Sequence, residues 1–226
     1  MASDRPRRRR IGRPRIGTGM DARGLLLDAA VALFSAQGIA GTTLAEIAAK
    51  AGVTSAMVHY YFSNRDRLLD AIANERVLRA VTSVWAPVLE TTELEPMLRG
   101  LVRRIVTAAE ANPWLASLWL REIVSEGGQL RTRLLKNLPF EHVRHLIRTL
   151  AAAQECGAIS TALEPRLLVP SVLGLTMLPL ATMPMWQQIP ILQGVTYADI
   201  ARHAEALLVA ACIPGGRKPA KTRLDR

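Results

Sequence analysis

At 226 residues, half of them hydrophobic, the chain is long enough for one large domain or for a small domain joined to a larger one. Its formal net charge of +10 sits at the ends: residues 1–20 carry a net +6 and residues 214–226 a net +4, leaving the body between them neutral. Basic tails on a neutral body suit a polyanion, either nucleic acid or an anionic membrane surface, and do not by themselves choose between the two.

The first 20 residues, "MASDRPRRRRIGRPRIGTGM", lack apolar periodicity and lead into no apolar stretch of the kind a secretory leader needs. They read as a basic arm with no packed structure when free. From Ala22 an apolar stripe at Leu26, Ala29, Ala30, Leu33 and Phe34 predicts an amphipathic helix, closed by Gly38. Thr43, with Glu46 three residues on, is a capping box that starts a short second helix ending at Gly52. Thr54 is the expected N-cap of a third helix running to about Phe62. Ser63 is the expected N-cap of a fourth, which carries Leu68, Leu69, Ile72 and Val77 and reaches about Ala86, before Pro87.

Beyond Pro87 the spacing predicts only helices, at 94–111, 114–126, 129–137, 140–156, 165–188 and 196–212. The stretch "LLVPSVLGLTMLPLATMPMW" (167–186) is uncharged and as long as a membrane span. Its three prolines (Pro170, Pro179, Pro184) and the lack of basic residues on both flanks favour a buried helix instead. No segment alternates as a strand and no repeat is present. The expected fold is therefore all-α: a basic arm at 1–20, a helix-turn-helix domain at 21–69, a helical body at 70–213 and a basic tail at 214–226.

Residues 43–62 form two short helices about a tight turn through Ala51, Gly52 and Val53, which is a helix-turn-helix. In the second of these helices Val58 and Phe62 are the expected buried pair. The opposite side presents Ala56, Met57, His59 and Tyr60. Small residues at the helix start let its backbone approach DNA, and the larger side chains behind them reach base edges, thymine methyls and phosphates in the major groove. Tyr61 is expected to pack partly on the fourth helix. Arg65, in that helix's first turn, suits a phosphate, and Thr42 and Thr43 could meet phosphate across the groove.

The stretch from about Ala22 to Leu69 resembles the DNA-binding domain of the TetR/AcrR family of bacterial transcriptional regulators. The residues that carry the resemblance are "AAVALFSAQG", "TTLAEIAAKAGV" and "YF" followed by Ser63, Arg65 and Leu68-Leu69. It implies that Thr43, Ser55, Ala56, Met57, His59, Tyr60, Tyr61 and Arg65 fall where the family contacts DNA. His59 stands where the family usually has Tyr, Met57 where it often has Thr, and Arg65 where it has Lys. The last keeps the charge; the first two leave the operator sequence open.

The resemblance also implies a ligand-responsive repressor, a cytoplasmic homodimer without cofactor that releases a palindromic operator when a small apolar or aromatic effector binds its helical body. The signal would pass through the fourth helix. Dimerisation is expected through the helices at 165–188 and 196–212, the latter with an apolar stripe at Ile200, Ala204, Leu207, Leu208 and Ala211. Trp85, Trp114, Trp119, Met177 and Met183 are candidate pocket-lining residues. Arg121 and Glu122, which follow Trp119, could place charge near the cavity but read rather as surface or ion-pair residues. His142 and His145 have half a metal-site spacing with no third ligand near, and read as a solvated helix face. Cys156 and Cys212, far apart in apolar surroundings, read as buried thiols in a reducing cytoplasm, with no disulfide framework or metal spacing.

In the arm, Gly12-Arg13-Pro14 within "RRRRIGRPR" is similar to the core of AT-hook peptides. Arg13 and Arg15 could then enter a narrow A·T minor groove, although Ile11 replaces the usual Arg; a nonspecific phosphate-binding tail is the equal alternative. A rival to the repressor is a nonspecific architectural DNA-binding protein without effector. No nucleophile–base pair, phosphate loop or metal spacing supports an enzyme.

Overall fold

The computed structural model describes residues 21–212, and among these every regular element is a helix. Helix α1 (Ala22–Gln37) begins where the Asp21 carboxylate accepts from the Gly24 amide, and closes on Gly38 at a φ of +81°, a conformation open to glycine. Helix α2 (Leu44–Lys50) carries the expected capping box: Glu46 N–H donates to Thr43 Oγ1 at 3.2 Å, and Thr43 N–H to Glu46 Oε2 at 2.7 Å. Helix α3 (Ser55–Phe62) begins after Thr54, whose hydroxyl makes no capping bond.

The start of α4 (Arg65–Ile72) corrects one expectation. Ser63 is not its cap: at a φ of +59° it closes α3, and its N–H donates to the His59 carbonyl. Asn64, extended, caps α4 through Oδ1, which accepts from Arg67 N–H at 2.9 Å. The expected single helix to Ala86 is also not uniform. A π-helical turn, Ala73–Val77, separates α4 from α5 (Leu78–Trp85), and a 3-10 turn, Ala86–Glu90, holds Pro87.

The body continues with α6 (Leu94–Ala111) and α7 (Trp114–Trp119), which runs into a second π turn, Leu120–Val124. Helix α8 (Arg131–Leu135) is shorter than expected, because the turn around Gly127 and Gly128 runs on to Leu130. Helices α9 (Phe140–Glu155), α10 (Leu168–Trp186) and α11 (Tyr197–Cys212) match their expected spans to within a few residues. Helix α10 is long and apolar enough to cross a membrane by length and composition. Its face with Val172, Thr176, Met177, Leu180 and Met183 is buried, and it packs on α6, α7 and α11.

Two cores hold these helices. One joins α1 to α4 around Leu26, Leu27, Phe34, Ile47, Val58, Phe62 and Leu68, and also takes in Leu118, Leu130 and Leu134 from the body. The other lies between α5, α6, α9, α10 and α11. Trp114 and Val81 touch both. Burying a Leu or Phe side chain is worth about 1.5–3 kcal/mol, so the three shared leucines fasten the N-terminal helices to the body.

Candidate nucleic-acid interface and ligand cavity

Helix α3 is seated by Val58 and Phe62, both buried. Arg23 of α1 lies over the Phe62 ring, 5.2 Å from its centroid, while its guanidinium pairs with Glu75 of the π turn. This fixes how α3 faces outward. Ser55, Ala56 and His59 are exposed, Met57 is half-buried, and Tyr60 is 81% exposed. Tyr61 is half-buried against the core, as expected, with its ring edge-on to Tyr60 at 5.1 Å. An exposed row of small residues followed by Met, His and Tyr, on a helix rigidly packed behind, can enter a groove and offer hydrogen bonds and apolar contacts to base edges.

The residues expected to flank that helix divide. Thr43 is exposed, but its hydroxyl belongs to the capping box. Thr42 is a correction: it is buried, and its Oγ1 donates to the Gly38 carbonyl at 2.8 Å, so its hydroxyl serves the α1–α2 loop and not a phosphate. Arg65 is half-buried and donates to the carbonyls of Thr42, at 2.8 Å, and Ile39. It clasps the same loop to the start of α4, with its remaining N–H groups left for a further acceptor. Arg13 and Arg15 lie outside the described residues.

Behind this loop sits a further correction: Glu122, expected as a surface or ion-pair residue, faces inward. Glu122 is buried; its Oε1 accepts from Ile39 N–H at 2.9 Å and its Oε2 from Gln129 N–H at 3.1 Å. One carboxylate thus joins the α1–α2 loop to the second π turn of the body. Arg121 beside it is exposed, as expected.

Ile123, next along the π turn, lines an apolar cavity of about 230 Å³. Its wall is built from α5 (Val81, Trp85), α7 (Trp119), α8 (Leu134), α9 (Val143) and α10 (Met177), among others. Of the five expected lining residues, Trp85, Trp119 and Met177 are present. Trp114 instead packs between the two cores, and Met183 is buried farther along α10, so neither reaches the cavity. Helix α8 contributes what spacing does not show: Arg131, Leu134 and Leu135 face the cavity, while Arg133 bonds Asp66 and Asp70 of α4, each at 2.8 Å. Asn137 reaches Asn74 at 3.0 Å. A ligand in the cavity therefore touches the short helix that grips α4 and the turn that grips the α1–α2 loop.

Among the described residues no three His, Cys, Asp or Glu side chains gather as a metal site. His142 and His145 are half-buried and not a solvated face; the Nε2 of His145 is buried without a hydrogen-bond partner. Cys212 is buried, which pushes its thiol pKa up. Cys156 is a correction: it caps α9 before Gly157 and is exposed. On α10 and α11, Leu178, Met185 and Leu207 are exposed although Ile200, Ala204 and Leu208 of the expected stripe are buried.

Residues 26–72 match the family described as bacterial regulatory proteins, tetR family. The HTH-type transcriptional regulator BetI of Paraburkholderia xenovorans is 29% identical over 109 residues, 47% of this chain and 55% of its own length. The BetI of Rhizobium meliloti is 28% identical over 107 residues, so the chain spans about half the length of these relatives, at 55% and 53%. The BetI of Paraburkholderia phymatum is 27% identical over 158 residues, 64% of this chain and 79% of its own. Among solved structures, the ketosteroid transcriptional regulator KstR2 of Mycobacterium tuberculosis has a TM-score of 0.68 at 19% identity, covering 85% of this chain and 95% of that one. The transcriptional regulator FadR of Bacillus subtilis in complex with stearoyl-CoA has a TM-score of 0.64 at 19% identity, covering 84% and 98%. The capped helix-turn-helix of α2 and α3 and the pattern matched over residues 26–72 agree: this segment is similar to the DNA-binding part of bacterial tetR-family regulatory proteins, and the all-helical fold behind it is shared with the solved neighbours.

Proposed function

We propose that the chain is a cytoplasmic, homodimeric repressor whose α3 reads a palindromic operator and whose cavity takes a small apolar or aromatic effector. The observation that carries the reading is the exposed row Ser55, Ala56, His59 and Tyr60 on a helix whose other face is locked by Val58 and Phe62. A dimer sets two such helices about one turn of DNA apart, which matches a two-fold operator. The 21–69 segment acts as the reading domain and 70–213 as the effector and dimer domain. The two structural neighbours named for a ketosteroid and held with stearoyl-CoA support an apolar effector.

Release works by differential binding: an effector shifts the dimer only if it binds the non-operator state more tightly. The route runs from the cavity through Ile123 and Glu122 to the α1–α2 loop, and through α8 and Arg133 to α4. The arm, with Arg13 and Arg15, adds a salt-dependent phosphate or minor-groove contact.

Selection of bound duplexes from a random pool, with the full chain and with residues 1–20 removed, tests this directly. A palindrome common to both is expected, and absence of any motif turns the reading toward nonspecific DNA coating. On the selected duplex, Tyr60→Ala is expected to weaken binding about tenfold or more while shifting the urea midpoint by no more than an exposed-site change does, about 0.5 kcal/mol.

A further inference from the structure

Arg131 is the one charged residue among the described residues that line the cavity. Its Nε donates to the Ile123 carbonyl and its Nη2 to the Val124 carbonyl, both at 2.7 Å, and Nη2 also to that of Ser125. All these partners are backbone carbonyls. Two residues on, Arg133 pairs with Asp66 and Asp70, whereas Arg131 has no carboxylate partner among the described residues. The three carbonyls hold the guanidinium still and leave both N–H groups of Nη1 without a hydrogen bond among the described residues.

The rest of the wall is hydrocarbon and aromatic: Val81, Trp85, Trp119, Leu134, Val143 and Met177 are typical of it. Arg131 is half-buried, and a cation held in place beside such a wall gains from a counter-charge brought to it. Among the described residues no acid lines the cavity to hold a cationic ligand; the carboxylate of Glu122, close by in sequence, is already occupied by two backbone amides. The cavity of about 230 Å³ has room for the apolar part of a small ligand.

We infer that the effector is an amphiphile with an anionic head: an apolar chain or ring system in the cavity and a carboxylate on the Nη1 edge of Arg131. This rests on the cavity being the effector site proposed above. An anion there binds the guanidinium whose Nε and Nη2 hold the carbonyls of the second π turn, so the head group is linked through one side chain to the turn that carries Glu122. Recognition and response then share one side chain.

Calorimetric titration of the full chain with decanoate, decanol and decyltrimethylammonium, with quenching of Trp85 and Trp119 fluorescence as a second readout, tests the sign of the head group at constant chain length. Decanoate is expected to bind at least about tenfold more tightly than decanol, the worth of one charge-assisted hydrogen bond, with the ammonium weakest. Arg131→Met is expected to bring decanoate down to the level of decanol and leave decanol unchanged. Equal binding of decanoate and decanol by the unmodified chain overturns the inference, and this holds even if Arg131→Met does not fold. Val143→Trp, which fills the cavity, separates the two levels. If it abolishes binding of every probe while decanoate shows no advantage, the cavity stands and the anionic head falls. If it leaves binding of the probes intact, or if no probe binds, the cavity as effector site falls with the inference.

Discussion

Glu122 shows how much one side chain carries at the junction of the two cores. Both of its oxygens are spent on backbone amides, that of Ile39 buried and that of Gln129 half-buried. Truncation leaves the buried Ile39 N–H without a partner, a loss that costs about 1–3 kcal/mol, and frees the half-buried Gln129 N–H at a smaller cost. Glu122→Ala is therefore expected to lower stability by at least about 1 kcal/mol in urea melts. Operator affinity should fall with it, because the α1–α2 loop that Ile39 belongs to positions the cap of α2. Glu122→Gln keeps one acceptor oxygen and should recover part of both losses; equal stability of all three chains would sink the account. Little of this was legible from the residues alone. The sequence places Glu122 on a helix beside Arg121, and only the π turn decides that one points inward and the other out. Thr42 and Thr43 pose the same difficulty: the capping box identifies Thr43, but nothing in the spacing says that Thr42 turns in to bond Gly38.

Among elements, those with local punctuation are the ones the sequence specifies. Gly38, the Thr43–Glu46 box and Gly52 bound α1, α2 and the turn, and the amphipathic periods of α6, α9 and α11 fix their spans. What periodicity does not carry are the π turns, Ala73–Val77 and Leu120–Val124, where hydrogen bonds run i to i+5 and the 3.6-residue repeat slips. Both turns contribute a residue, Val77 and Ile123, to the cavity. The pairing of α6 with α11 was equally hidden, since it rests on side chains 102 and 106 positions apart. Arg103 Nε donates to Glu205 Oε1 at 2.6 Å and Arg99 Nη1 to Oε2 at 3.3 Å. The Arg103 hydrogen bonds are the largest influence on the Glu205 carboxyl; with Arg99 they outweigh burial and hold its pKa below the usual 4.5. A carboxyl whose folded pKa is depressed stabilises the fold fully above its unfolded value, and that contribution disappears as pH falls through the folded value. Urea midpoints are thus expected to decline from about pH 4.5 downward. In Glu205→Gln the decline should be shallower, with a lower plateau near neutral pH. An unchanged acid limb in that variant would remove Glu205 from the list of groups responsible.

For the molecule as a whole, the question is what covers the outward side of α10 and α11. Leu178 is 47% exposed, Met185 60% and Leu207 44%, on the two helices whose other faces are packed into the body. The sequence hinted at this, because α10 is apolar nearly all round and one body cannot bury every side of it. It did not show which residues stay outside: of the α11 stripe, Ile200, Ala204 and Leu208 belong to the core and Leu207 does not. A second copy related by a two-fold axis would cover the exposed face with itself, and in such an interface each substitution acts twice. Leu178→Glu removes two apolar contacts and sets two carboxylates near the axis. Each copy has about half of the leucine left to bury, worth roughly half of the 1.5–3 kcal/mol of a full burial, so losing both weakens the dimer by at least about 1.5 kcal/mol, more than tenfold. Within one copy the side chain is half in solvent, so the circular dichroism spectrum should stay as it is. Sedimentation equilibrium is expected to show the unmodified chain as a dimer and Leu178→Glu as a monomer at micromolar concentration. Binding to a full palindrome should fall toward that of a single half-site. A variant that remains dimeric and keeps full affinity would place the interface elsewhere, and the paired-helix arrangement proposed for α10 and α11 would have to be abandoned.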